Sequence, residues 1–197
     1  MKNKITRYFD VELRELEDNS NRVAGVAVVF DQDTDMGWYT ERIDRHAFDE
    51  TDMSDVVLNM NHDNNLLLAG TRNGSLRLQV SDSGVYQESE IINTNTGEDV
   101  MKLVRSGLLS KQSFAFVIAD GGDQWTTIDG REHRTITKIE KLFDVSLVTF
   151  PAYAQTSVFA RSEGKDELAE AHKAEMEKRA EQDKKWEEII SGKNLIK

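Results

Sequence analysis

Arg105-Ser-Gly-Leu-Leu-Ser-Lys-Gln-Ser-Phe-Ala-Phe-Val117 holds a helix end, a turn and the start of a strand. Before it, Gly97 to Ser106 carries Val100, Leu103 and Val104 on one helical face. Thr94, Asn95 and Thr96 offer caps at the start of that helix, and Gly107 suits the position just past its end. From Gln112 to Ile118 the chain alternates, with Phe114, Phe116 and Ile118 on one face and Ser113, Ala115 and Val117 on the other. Ser113 therefore lies near the start of a strand, on a face of small side chains. A hydroxyl held there on rigid backbone is a candidate nucleophile.

Outward from this stretch, short strands dominate. Tyr8 to Leu16 alternates as a half-buried strand, and Val23 to Phe30 reads as a buried one. Further strands are expected at Trp38 to Ile43, Val56 to Met60, Leu66 to Leu68, Leu76 to Val80 and Val85 to Ile92. Asn73-Gly74 and Asp82-Ser83-Gly84 are hairpin signals between them. Asp44 can cap a short helical segment, Arg45 to Glu50, that buries Ala47 and Phe48. Asn61-His62-Asp63-Asn64-Asn65 reads as a loop, and Asp120 to Asp123 and Asp129-Gly130 as turns. Thr135 to Phe150 is one long β-rich stretch, ended by Pro151. The expected fold is mainly β with inserted helices (α+β), a barrel or sandwich spanning residues 5–160.

After Arg161 the composition shifts to Glu, Lys and Ala, and a charged helical tail over residues 161–197 is expected, with a long C-terminal helix from Glu163 to Ile190. Its apolar stripe is thin, so a solvated extension, a self-association arm or a docking segment suits it better than a core element. The net charge is -11, with 9 Lys+Arg against 10 Asp+Glu in the tail and 16 against 26 before it. Neither part has the basic excess of a nucleic-acid binder. The chain has no cysteine, which excludes disulfides and thiolate chemistry, and no apolar stretch near the roughly 18 residues of a membrane span. A cytoplasmic setting is expected, with neither nucleic acid nor membrane as a partner.

Of the four histidines, His172 lies on the charged helix, His133 beside Arg131, Glu132 and Arg134 at a hairpin tip, and His46 near the short helix. His62 differs, because it directly follows a buried strand, where catalytic groups often sit. Its imidazole suits a base near neutral pH, although most loop imidazoles are structural. Ser106 and Ser110 rival Ser113. Asp144 is a carboxylate inside an apolar strand and needs a partner, either Lys or Arg in a salt bridge or an imidazole that it orients. Asp31, Asp33 and Asp35 alternate along one loop like part of a calcium site, but lack the Gly and distal Glu of the full pattern. No second histidine stands at metal-ligand spacing from His62, and no phosphate-binding glycine loop is present, so neither metal nor cofactor is expected.

Five stretches in order resemble the prohead (capsid maturation) proteases of tailed bacteriophages. They are Gly25-Val-Ala-Val-Val-Phe30, Ile43-Asp-Arg-His-Ala-Phe48, Met60-Asn-His-Asp63, Leu109-Ser-Lys-Gln-Ser-Phe-Ala-Phe116 and Asp144-Val-Ser-Leu-Val-Thr-Phe-Pro-Ala-Tyr153. The resemblance spans about residues 25–157 and does not reach the tail. It implies a serine endopeptidase with the β-barrel fold of herpesvirus assembly proteases. It also implies His62 as base, Ser113 as nucleophile and Asp144 as the third member, where the family often carries Glu; Ala115 stands where it often carries Gly. The implied substrates are the major capsid protein precursor with its scaffolding segment, and the chain itself, with the tail as a target or docking arm. The portal and a second copy of the chain are further candidate partners. The implied place is the immature procapsid in the host cytoplasm. The rival reading is a non-enzymatic scaffold or assembly chaperone; a calcium-dependent binding module is a third.

Overall fold

The computed structural model describes residues 4–9, 13–15 and 20–149. These form a mainly β domain with a single α-helix among them. The expected charged helical tail over residues 161–197 lies outside the described residues.

In chain order the strands are β1 (Ile5–Phe9), β2 (Leu13–Glu15), β3 (Arg22–Val29), β4 (Thr34–Asp35), β5 (Tyr39–Ile43), β6 (Val57–Met60), β7 (Asp63–Gly70), β8 (Leu76–Ser81) and β9 (Gly84–Glu90). Helix α1 (Asn95–Arg105) follows, then β10 (Lys111–Ile118), β11 (Asp123–Ile128), β12 (Arg131–Ile136) and β13 (Ile139–Val148). One five-stranded sheet has the order β1-β10-β13-β6-β7. Two four-stranded sheets have the orders β2-β3-β9-β8 and β11-β12-β5-β4. Most pairings are antiparallel, but β13 runs parallel to β6, and β12 parallel to β5.

The expected strand from Tyr8 to Leu16 is two strands with different partners: β1 pairs with β10, and β2 with β3. Thr135 to Phe150 is also not continuous. It breaks at Thr137 and Lys138, whose N–H groups both donate to the Gly122 carbonyl, at 2.8 and 3.0 Å. Gly122 permits this approach, because a Cβ there would lie 2.3 Å from the Lys138 carbonyl oxygen. Residues 45–50 form successive turns rather than a helix. Ala47, Asp49 and Thr51 donate to Asp44, His46 and Phe48, bonds that reach back three residues instead of four. Asp44 still caps the segment through the His46 N–H at 2.8 Å, and Ala47 and Phe48 are buried as expected.

α1 follows its sequence signals closely. Thr94 accepts from the Gly97 N–H at 3.1 Å. Gly107, at φ +74°, takes the left-handed position past the helix end. Val100, Met101 and Val104 are buried against the core, and Leu103 packs at its margin. β10 is buried along nearly its whole length. Phe114 and Phe116 enter the apolar core, and Ser113 and Ala115 on the opposite face are also fully covered. β1 pairs with one edge of β10 from Gln112 to Phe116 and β13 with the other from Lys111 to Ile118, so the backbone around Ser113 is held on both sides.

Candidate active site

Three strands of the five-stranded sheet carry the site in adjacent rows. Ser113 on β10 pairs with Ser146 on β13, which pairs with Asn59 on β6. One row along, Ala115 pairs with Asp144. Because side chains alternate along a strand, Asp144 and Ser146 share a face with each other, and Ser113 shares it with Ser146. Residues 59, 113 and 144, far apart in sequence, thereby come together on rigid backbone.

His62 reaches this face from a tight turn rather than the expected loop. Met60 pairs with Asp63, leaving Asn61 and His62 as a two-residue hairpin turn with φ of 53° and 58°. Left-handed backbone at consecutive non-glycine residues costs about 1–2 kcal/mol per residue, so the surroundings must hold it. Two bonds from β13 do so: the Asn61 N–H donates to the Leu147 carbonyl at 3.0 Å, and the His62 N–H to Ser146 Oγ at 3.0 Å.

The imidazole lies between the two groups expected from the sequence. His62 Nδ1 is 2.5 Å from Asp144 Oδ1, and His62 Nε2 is 2.5 Å from Ser113 Oγ. This fixes the tautomer: Nδ1 donates to the carboxylate, and Nε2 is left to accept from the hydroxyl. The His62 side chain is 16% exposed and that of Asp144 is 1% exposed. Burial alone would raise the Asp144 pKa, but hydrogen bonds and charge from His62 and Lys4 outweigh it and hold the carboxyl below its usual value. Asp144 thus meets both partners left open by the sequence, the imidazole on Oδ1 and an ammonium on Oδ2, where Lys4 Nζ sits at 2.7 Å. Ser113 is not on an open surface. It has no solvent exposure, and its hydroxyl also lies 2.9 Å from the Arg7 carbonyl oxygen on β1.

The rival groups stand elsewhere. Ser106 Oγ donates to the Leu103 carbonyl at the end of α1. Ser110 precedes β10. His46 is exposed beside Asp49, and His133 lies half-buried on β12 rather than at the hairpin tip, which is Asp129-Gly130. Asp31, Asp33 and Asp35 face Arg45, Arg42 and Arg131 respectively. The three carboxylates are thus committed to separate cations and do not converge. The sequence reading missed Lys4, Asn59 and Ser146 at this site. Asn59 and Ser146 carried a usable signal, since both are polar residues inside apolar strands.

A serine, histidine and aspartate in hydrogen-bonded sequence is the arrangement used by serine hydrolases on several unrelated folds. A family model described as the Caudovirus prohead serine protease matches residues 9–171. The chain belongs to that family, the serine proteases of bacteriophage capsid maturation. Among solved structures, the bacteriophage T4 capsid assembly protease, gp21, matches with a TM-score of 0.50 and 11% identity, covering 75% of this chain and 98% of that one. At that identity the likeness is one of fold. No curated protein sequence matches the chain.

Proposed function

We propose that this chain is a serine endopeptidase in which Ser113 is the nucleophile, His62 the general base and acid, and Asp144 the residue that orients and charge-balances the imidazole. The carrying observation is that both ring nitrogens of His62 are engaged, one with each partner, at 2.5 Å. As Ser113 Oγ bonds to a peptide carbonyl carbon, its proton passes to His62 Nε2. The imidazolium then protonates the departing amine as the C–N bond breaks. Water, deprotonated by the same nitrogen, releases the acyl group and restores the hydroxyl. Asp144 remains ionised throughout and stabilises the positive ring.

The family supports capsid protein as substrate. The finer proposal is the major capsid protein precursor cut at its scaffolding segment within the immature procapsid, in the host cytoplasm, together with self-cleavage in the tail. The portal and a second copy of the chain are proposed as further contacts. Closure of the sheets into a herpesvirus-protease-like barrel belongs to the same reading. It is supported by consecutive β1 and β2 pairing into different sheets, and by the contacts of β7 with β8 and β9.

The test is incubation of the chain with capsid precursor and mass analysis of the fragments. Wild type and Ser110→Ala are expected to cleave, and Ser113→Ala to leave the precursor whole while keeping its fold. Cleavage by Ser113→Ala would remove Ser113 from the role. Co-assembly without cleavage by the wild type would favour the scaffold reading.

A further inference from the structure

Ser146 has more to do at this site than a strand serine needs. Its Oγ receives the His62 N–H at 3.0 Å, lies 3.2 Å from Asp144 Oδ1 and 3.0 Å from His62 Nδ1, and is hydrogen-bonded to the Asn59 side chain. Ser146 and Asn59 are both fully buried. A hydroxyl has one proton and two lone pairs, so these contacts must be shared out. His62 Nδ1 already gives its proton to Asp144. The Ser146 proton then has two acceptors in reach, the Asn59 amide oxygen and Asp144 Oδ1.

The Asn59 amide decides between them. With its oxygen toward Ser146, Asn59 Nδ2 is a buried N–H donor with no partner among the described residues. Turning the amide over puts its oxygen in that unpartnered place instead, and an unpaired buried carbonyl oxygen is less rare than an unpaired buried N–H. The two ends of an amide are nearly equal in shape, so the group fits the same space either way round. Nδ2 then donates to Ser146 Oγ, and Ser146 donates its single proton to Asp144 Oδ1. Oγ now accepts twice, from His62 N–H and Asn59 Nδ2, and donates once, which exhausts its capacity.

We infer that Ser146, oriented by Asn59, is a positioning residue that fixes His62 and Asp144 relative to each other. One oxygen pins the left-handed backbone of the base and, through its proton, the carboxylate oxygen that the base uses. It touches neither substrate nor the reacting atoms. The inference rests on the proposed roles of Ser113, His62 and Asp144.

Ser146→Ala removes a hydrogen bond to a charged group and a backbone anchor. It is expected to lower kcat about 10–100-fold with KM little changed. Ser146→Thr keeps the hydroxyl and is expected to stay close to wild type. Asn59→Ala, which leaves the hydroxyl without its orienting donor, is expected to fall between them. A second readout needs no turnover: the low-field proton resonance of the Nδ1–H···Oδ1 hydrogen bond, recorded in a Ser113→Ala background. It is expected to weaken or vanish on adding Ser146→Ala and to persist on adding Ser146→Thr. A Ser146→Ala protein that melts lower but keeps both kcat and the resonance would make the residue merely structural and overturn the inference. Failure of the triad roles themselves would appear separately, as activity surviving Ser113→Ala. Should Ser146→Ala not fold, Ser146→Thr and Asn59→Ala carry the test: both at wild-type kcat and resonance would refute the part given to Asn59, and loss of the resonance in Ser146→Thr would refute the part given to the hydroxyl.

Discussion

Asp144→Asn separates the charge of the third residue from its shape. In the resting site Asp144 accepts from His62 Nδ1 at 2.5 Å, while Lys4 Nζ sits on its other oxygen at 2.7 Å. In the proposed mechanism the carboxylate matters most once the imidazole has taken the Ser113 proton. At an effective dielectric near 20, opposite unit charges about 4 Å apart attract by about 4 kcal/mol, or roughly three decades in rate. Asparagine also presents an N–H₂ that can stabilise the wrong imidazole tautomer, and the same change in a serine protease triad costs about 10⁴ in kcat. The expected loss is therefore about 10³–10⁴ in kcat with KM nearly unchanged. Lys4 cannot offset this, because its ammonium carries the same sign of charge as the imidazolium. The assay is the single-turnover rate of precursor cleavage, read beside circular dichroism to show that the variant is folded. A folded Asp144→Asn within tenfold of wild type would refute the reasoning and leave Asp144 as the buried half of a salt bridge.

Two further outcomes follow from the same geometry. Lys4→Met should change the cleavage rate far less than Asp144→Asn does, because Lys4 sits on Oδ2 and not on the Oδ1 that His62 uses; a loss as large as that of Asp144→Asn would make Lys4 part of the machinery. Acid should destabilise the domain through two buried carboxylates, Asp144 and Glu41. Burial pushes the Glu41 pKa up, but Arg7 and Arg134 outweigh it, so Glu41, like Asp144, is held below its usual value. A lowered folded-state pKa gives stability that is present above the unfolded value, about 4, and is lost as pH falls through the folded value. Urea midpoints should therefore drop below about pH 4, and Glu41→Gln should weaken that dependence while costing about 3–5 kcal/mol at neutral pH, because both arginines lose a buried partner. A pH dependence unchanged in Glu41→Gln would contradict this assignment.

Local structure was legible where one rule acted alone. The alternation over Gln112 to Ile118 and the punctuation by Thr94 and Gly107 define β10 and α1 without reference to the rest of the chain. β11 was not legible as a strand, because most of Asp123 to Ile128 is exposed and shows no apolar alternation. Residues 45–50 had helical spacing, but the Ile139 N–H claims the Ala47 carbonyl at 2.8 Å and ties that segment to β13. At the site, Ser113, His62 and Asp144 were nameable from residue type and strand position, and the family resemblance ordered them. Their approach to one another was not legible, since it depends on β13 lying between β10 and β6, a parallel pairing of segments more than 80 residues apart. Ser146 shows in the sequence only as a polar residue inside an apolar strand, which marks it without giving it a role. The register that sets it between Ser113 and Asn59 supplies that role. Lys4 carried no signal at all, as an exposed lysine near the start of the chain.

The central claim is that the Ser113 hydroxyl is made nucleophilic by His62. It is tested most directly by treating the full chain with a fluorophosphonate and locating the adduct by peptide mass spectrometry. The account predicts one phosphonyl group per chain, on Ser113, lost in His62→Ala. Labelling confined to another serine, or labelling of Ser113 that is unaffected by His62→Ala, would contradict it.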